Sequence, residues 1–291
     1  VTSVERYTLY GDLTTRDAVV IATLLAAKGL AIEQVEETPS LSLALASRSG
    51  HEQGPYLHTP EGAVLADLRS ILDWVDRSHP EPRLLPTAPV RRACALLLED
   101  WVELWLPLWP GRSWATLERL ESHLASSRFL MGPRPVRADW ILAAWLETDV
   151  LVHPHARGHV EQNASRLARL AEDLLGLGAC LPPQEDDAVP ISLLAILEEI
   201  AGDYHTYLER NHRALEAGQT QLRLDLGDGR SSWPVRPECE RRRVAIRRDL
   251  TRAERATRRL VAGVLEPVGA WRVLALPPVL EALDPADPRS L

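Results

Sequence analysis

Four prolines, Pro80, Pro82, Pro86 and Pro89, fall within Ser78–Pro89 and separate two stretches of different periodicity. Proline lacks an amide N–H and clashes with the preceding helical turn, so neither a helix nor a central strand runs through such a segment. The stretch before it alternates short β-type runs with helical ones. Arg6–Tyr10 reads as a strand and Leu30–Val35 as a second. Between them Thr14–Lys28 carries Val19, Ile21, Leu24 and Leu25 as an apolar helix face and ends in a Lys28-Gly29 stop. Leu41–Ser47 is predicted as a short helix, Tyr56–His58 and Ala63–Leu65 as strands around the turn Thr59-Pro60-Glu61-Gly62, and Leu68–Val75 as a helix. This βαβ–α–ββα order predicts a small α/β domain over residues 1–80, with 81–90 as linker.

Residues 91–276 have helical periodicity throughout, over Arg91–Leu106, Trp114–Ser126, Asp139–Val150, Gln162–Leu175, Leu193–Leu215 and Glu240–Leu265. One interruption, Gln221–Val235, alternates Leu222, Leu224 and Leu226 with polar residues before Gly227-Asp228-Gly229 and predicts a small β-hairpin. Residues 277–291 are expected to form a loose tail. The fold class is thus α/β plus all-α.

The 291 residues are 45% hydrophobic and 25% charged, as in a folded globular protein. No apolar run reaches the roughly 20 residues of a membrane-spanning helix, so no membrane partner is expected. A net charge of −8 disfavours binding to nucleic acid, which demands a basic surface. The N-terminus lacks a basic region followed by an apolar stretch, so no secretory signal is expected. Cys94, Cys180 and Cys239 lie far apart and point to a reducing, cytoplasmic setting. Lys28 is the single lysine among 33 basic residues, the kind of bias a GC-rich genome leaves.

Several motifs, taken in order, resemble the glutathione S-transferase superfamily, in particular bacterial members with an extended C-terminal helical domain. They are Leu9-Tyr10, Lys28-Gly29-Leu30, Gly54-Pro55-Tyr56-Leu57, the turn at Thr59–Gly62, Ile71-Leu72-Asp73-Trp74-Val75, Leu84-Leu85-Pro86, Phe129-Leu130-Met131-Gly132 and Ala138-Asp139. The resemblance covers about residues 5–175. It implies a thioredoxin-like N-terminal domain, a helical C-terminal domain, a cis-proline at Pro55 and glutathione or another low-molecular-weight thiol as cofactor, with no metal. It further implies conjugation or isomerisation of a small hydrophobic electrophile, and a homodimer as the usual assembly.

The resemblance nominates Thr15, Thr14 and Tyr10 as the hydroxyls that would activate the thiol. It assigns Gly54, Pro55 and Asp67 to holding that thiol, and Trp101, Trp105 and Trp109 to a wall of the electrophile pocket. The chemistry has a physical basis: a helix N-terminus gathers unpaired N–H groups and a positive dipole end, which favours a thiolate. The alternative for the threonines is helix capping, and for Tyr10 and the tryptophans it is packing. Two departures stand out. Asp67-Leu68 replaces an acid or amide followed by serine, and the lost contact is worth about 1.5–3 kcal/mol, roughly ten- to a hundredfold in affinity. Val136 replaces the Ser/Thr cap before Asp139, which predicts a helix without its capping box. The second departure concerns folding only, while the first keeps two other readings open: a thiol-independent isomerase or cyclase, and a non-catalytic binding module.

Two clusters are expected to be bland. His153, His155 and His159, near Asp149, read as solvated loop histidines rather than metal ligands, and the same holds for His205 and His212. The nine arginines of Arg241–Arg259 read as the solvated face of a helix whose inner side is Val244, Leu250, Ala253, Thr257 and Leu260.

Overall fold

The computed structural model describes residues 6–108, 113–178, 182–226 and 232–279. In chain order the elements begin with β1 (Arg6–Tyr10), α1 (Arg16–Ala27), β2 (Ala31–Val35), α2 (Pro39–Ser49), β3 (Tyr56–His58), β4 (Val64–Ala66) and α3 (Leu68–Ser78). Then come α4 (Pro89–Asp100), a π-helical turn (Trp101–Trp105), α5 (Ser113–Leu124), α6 (Arg137–Trp145), a second π-helical turn (Leu146–Val150), α7 (Pro154–Asn163) and α8 (Ser165–Leu175). The last are α9 (Leu193–Gly202), α10 (Tyr204–Glu216), β5 (Gln221–Arg223), β6 (Ser232–Pro234), α11 (Pro237–Arg252), α12 (Arg255–Leu265) and α13 (Trp271–Ala275). A thioredoxin-like α/β domain is thus followed by a helical domain that carries a β-hairpin. Packing divides the chain into two compact units, Val1–Pro86 with Arg128–Gln184 and Thr87–Ser127 with Glu185–Leu291.

In the first unit the sheet order is β2-β1-β3-β4. β1 and β2 run parallel, whereas β1–β3 and β3–β4 are antiparallel. A parallel pair needs a crossover, and α1 supplies it. That helix starts at Thr15, buries Ala18, Val20, Ile21, Leu24 and Leu25, and closes on Gly29 at φ 73°, where the Leu30 N–H returns to the Leu25 carbonyl. Tyr7 is buried on one sheet face against Trp74 of α3. Tyr56 and Ala66 pack on the other with Leu41 and Leu45 of α2.

The proline-rich segment is fastened rather than slack. The Lys28 ammonium donates to the His79 and Pro82 carbonyls at 2.6 and 2.8 Å, and the Arg137 N–H reaches the Leu84 carbonyl at 3.2 Å. In the same unit α6 packs on α1 and α8. Fully buried Arg137 places Nη1 2.7 Å from Asp73 Oδ1. The capping expectation at Val136 is only half right. Asp139 accepts the Val136 N–H at 2.8 Å, while the Asp139 N–H finds the Val136 carbonyl in place of a hydroxyl. Burial outweighs the N–H donors of Leu130 and Val136 and pushes the Asp139 carboxyl up to about 7.

In the second unit α11 and α12 pack on α4, and α5 packs on α9. The His123 ring bonds to Ser192 at 2.8 Å, at the start of α9. Predicted helices are divided here. Leu193–Leu215 is divided at Asp203, whose backbone stays in the right-handed helical region at ψ −69°, directly after Gly202, a residue that holds a helix weakly. Glu240–Leu265 breaks at Ala253, whose backbone is extended at ψ 154°.

Four further expectations are corrected. The Pro154–Asn163 segment is a helix, not a loop, with Pro154 in the first turn, where its missing N–H costs nothing. The arginine run is not uniformly solvated: Arg243 is 1% exposed, whereas Leu260 of its supposed inner face is 50% exposed. Arg243 holds the carbonyls of Val273, Leu276 and Pro277, and Glu240 accepts the Val279 N–H, so the start of the supposed loose tail is pinned. His205 and His212 are buried as well. Cys94 and Cys239 are free, buried thiols pushed up to about 12 by burial, and Cys180 lies outside the described residues. Among the described residues no helix is long and apolar enough to cross a membrane. The Gly227-Asp228-Gly229 turn lies outside the described residues, but its flanking strands pair as Gln221–Pro234 to Arg223–Ser232.

Candidate functional site

The strand register determines which loops meet. Tyr10 lies opposite both Val35 and Tyr56, and Tyr56 lies opposite Ala66. At that end of the sheet the chain therefore leaves β1 into Gly11, leaves β2 into Glu36-Glu37, enters β3 from Gly54-Pro55 and leaves β4 into Asp67. Four loops distant in sequence converge on one edge.

Gly54–Pro55 is a cis peptide, as expected. Gly11 backs directly onto it: a Cβ at Gly11 would stand 2.9 Å from the Pro55 Cβ. A Cβ at Gly54 would stand 2.7 Å from Glu37 Oε1 and 2.9 Å from the Tyr56 ring, so only glycine fits. Gly54 is exposed, and its N–H and C=O have no hydrogen-bond partner among the described residues. An exposed donor and acceptor on neighbouring backbone atoms make a template for an extended peptide-like ligand.

Asp67 is the single non-glycine residue among those described with positive φ, at 66°. Such a backbone is strained for an L-residue and collects at functional positions. Its Oδ2 accepts the Ser70 N–H at 3.0 Å and the Ser70 hydroxyl at 2.6 Å, which caps α3. Leu68, next to it, is buried.

Of the nominated hydroxyls, that of Thr15 is occupied locally. Thr15 Oγ1 donates to the Asp12 carbonyl at 2.7 Å and does not cap α1. The Thr14 N–H donates to Asp12 Oδ1 at 2.8 Å. That backbone bond is the largest cause holding the Asp12 carboxyl below its usual range. Tyr10 packs its ring in the cluster of Leu45, Tyr56 and Ala66. The sheet end thus brings together Thr14, Thr15, Gly54, Pro55 and Asp67, while the Tyr10 ring belongs to the packing beneath.

Trp101 and Trp105 belong to the second unit and are 1% and 2% exposed. Trp105 stacks on Trp233 at 5.2 Å and 20°, and it meets Tyr204 and Tyr207. Trp109 lies outside the described residues. The second unit also has an open groove of about 750 Å³ bounded by Glu198, Glu266, Val268, Trp271 and Arg272. No nominated residue lines it. Among the described residues no group of His, Cys, Asp and Glu could hold a metal ion.

Sequence reasoning missed Glu37 and Gly11. The doublet Glu36-Glu37 directly after β2 was a signal for the first, since residues at that strand end face the cis-proline loop. Gly11 directly after β1 was the signal for the second.

The strand order, the cis-proline leading into β3 and the helices that follow decide the architecture. The chain carries a thioredoxin-like sheet followed by a helical domain. Solved glutathione S-transferases are similar to it at low identity. One from Rhodospirillum rubrum F11 is 19% identical, with a TM-score of 0.48 over 61% of this chain and 96% of its own. One from Methylobacterium radiotolerans, in complex with glutathione sulfonate, is 22% identical over 64% of this chain and 99% of its own, with a TM-score of 0.43. Rice GST1 in complex with glutathione is 25% identical over 62% and 93%, with a TM-score of 0.48. The sequence matches no family model and no curated protein.

Proposed function

We propose that this transferase-fold chain binds a low-molecular-weight thiol along Gly54–Pro55 and presents it to a small apolar electrophile for conjugation or isomerisation. The observation that carries this reading is the exposed Gly54 backbone, with donor and acceptor both open, beside Glu37 and next to the Pro55 that Gly11 backs onto. The thiol supplies the nucleophilic sulfur. Gly54 N–H and C=O orient its backbone, and Asp67, kept in place by Ser70, offers an acceptor to its ammonium end. The N-terminus of α1 starts where no side chain caps it, and its positive dipole end favours the sulfur anion. Thr15 must turn its hydroxyl away from the Asp12 carbonyl to donate to sulfur, a rotation about one side-chain bond.

A second reading has its own observation. Thr15 spends its hydroxyl on the Asp12 carbonyl, so the site as built can bind a thiol without Thr15 activating it. A thiol-binding module without turnover, or an enzyme whose reaction needs no thiol activation, fits that arrangement.

Titration of thiols into the protein, with tryptophan emission as reporter and calorimetry as check, tests the first reading. Saturable binding weakened by Asp67→Ala supports it, and the absence of binding by any thiol overturns it. Turnover of a model electrophile that survives simultaneous replacement of Thr14, Thr15 and Tyr10 removes those three from the chemistry.

A further inference from the structure

We propose that the thiol selected at Gly54–Pro55 is a cationic aminothiol rather than anionic glutathione, and that the Glu37 carboxylate makes the selection. This inference rests on the thiol-site reading above. Glu37 follows β2 directly, and its Oε1 would lie 2.7 Å from a Cβ on Gly54, so one carboxylate oxygen sits against the backbone the ligand must cover. The other oxygen accepts the Ser42 hydroxyl at 2.5 Å, which fixes the side chain in that position.

Among the described residues Glu37 forms no ion pair. Glu36 and Asp67 add acids to the same end of the sheet, one on each side of Gly54. Arg48 donates to the Gly62 carbonyl at 2.8 Å, and Arg16 pairs with Asp17 at 2.9 Å. A ligand at Gly54 therefore meets carboxylates. Glutathione at neutral pH carries two carboxylates and one ammonium, a net negative charge. An aminothiol carries one ammonium beside its sulfur and can pair with Glu37 through a charge-assisted hydrogen bond.

Gly54 is exposed, so the preference is modest and salt-sensitive, about threefold at low ionic strength. Three probes separate the contributions: cysteamine (cationic), N-acetylcysteamine (neutral) and reduced glutathione (anionic). Binding is read in the full chain from the Gly54 and Tyr56 amide resonances. Cysteamine is expected to bind about threefold more tightly than N-acetylcysteamine, glutathione is expected to bind less tightly than either, and the gap is expected to shrink in molar salt. Glu37→Gln keeps an acceptor for Ser42 and should close the gap between the two cysteamines while leaving N-acetylcysteamine unchanged. Equal binding of the two cysteamines, tighter binding of glutathione, or a gap unmoved by Glu37→Gln overturns the selection and leaves the thiol site standing. If none of the three moves the Gly54 amide, the thiol site itself fails and the selection with it.

Discussion

The ammonium of Lys28, the single lysine of the chain, lies 2.9 Å from Asp76 Oδ1 and at the same time donates to the carbonyls of His79 and Pro82. Its side chain is fully buried. One cation thus joins the end of α1 to the end of α3 and to the proline-rich segment beyond. Lys28→Met removes the charge and strands Asp76, for which Arg137 at 3.5 Å compensates in part. The expected cost is about 3 kcal/mol, seen as a lower denaturant midpoint with an unchanged slope. Lys28→Arg should also destabilise, because a planar fork does not fit the place of a compact ammonium.

Two buried groups give opposing pH dependences. Asp139, raised from 3.8 to about 7, binds its proton more tightly when folded. Its contribution is complete below pH 4 and is lost as pH rises through 7. His205, lowered from 6.5 to about 3 by burial, releases its proton on folding, so its contribution is complete above 6.5 and is lost as pH falls toward 3. Each slope is about 1.4 kcal/mol per pH unit, and between pH 4 and 6.5 they oppose. Asp139→Asn should therefore reveal a stability that falls on acidification. His205→Gln should reveal one that falls as pH rises from 4 to 7. Urea midpoints across that range check both.

Gly11→Ala drives a methyl toward the Pro55 Cβ at 2.9 Å. We expect a loss of about 1–3 kcal/mol from overpacking, together with weakened thiol binding, because the displaced corner is the binding template. Gly158→Ala is the control. It sits within α7 with open space around it, and should gain about 0.5–1 kcal/mol with binding unchanged. Thermal melts and thiol titrations separate the two outcomes.

Asp67→Asn keeps an acceptor for Ser70 and tolerates positive φ, so stability should stay within about 0.5 kcal/mol while thiol affinity falls with the charge. Asp67→Ala loses the cap and is strained at φ 66°, and should cost about 1–2 kcal/mol as well. If Asp67→Asn binds thiol as the parent does, the Asp67 charge has no part in binding.

Removing an aromatic ring from the second unit tests packing against pocket. Trp105→Ala deletes the ring stacked on Trp233 and should lower stability by about 3–5 kcal/mol. A variant that melts like the parent would argue against core packing.

Period and turns were legible in the sequence, because each depends on residues within one or two helical turns. The apolar spacing of α1 with its Lys28-Gly29 stop and the strand-turn-strand around Thr59–Gly62 needed no distant partner, whereas the cis bond before Pro55 was legible only through the family resemblance. The helix breaks were less legible, since Gly202 and Ala253 interrupt runs whose apolar spacing continues on both sides. What local pattern could not supply was the partner of each charge. Lys28 finds its acceptors about fifty residues along the chain, Arg243 lies in the interior although its neighbours suggested a solvated face, and Glu37 reaches Gly54 because β2 and β3 flank β1. Sequence periodicity determines which face of an element is apolar, because hydrogen bonds within a helix act over four residues. Strand pairing and helix packing decide which polar groups meet, and those contacts form the site.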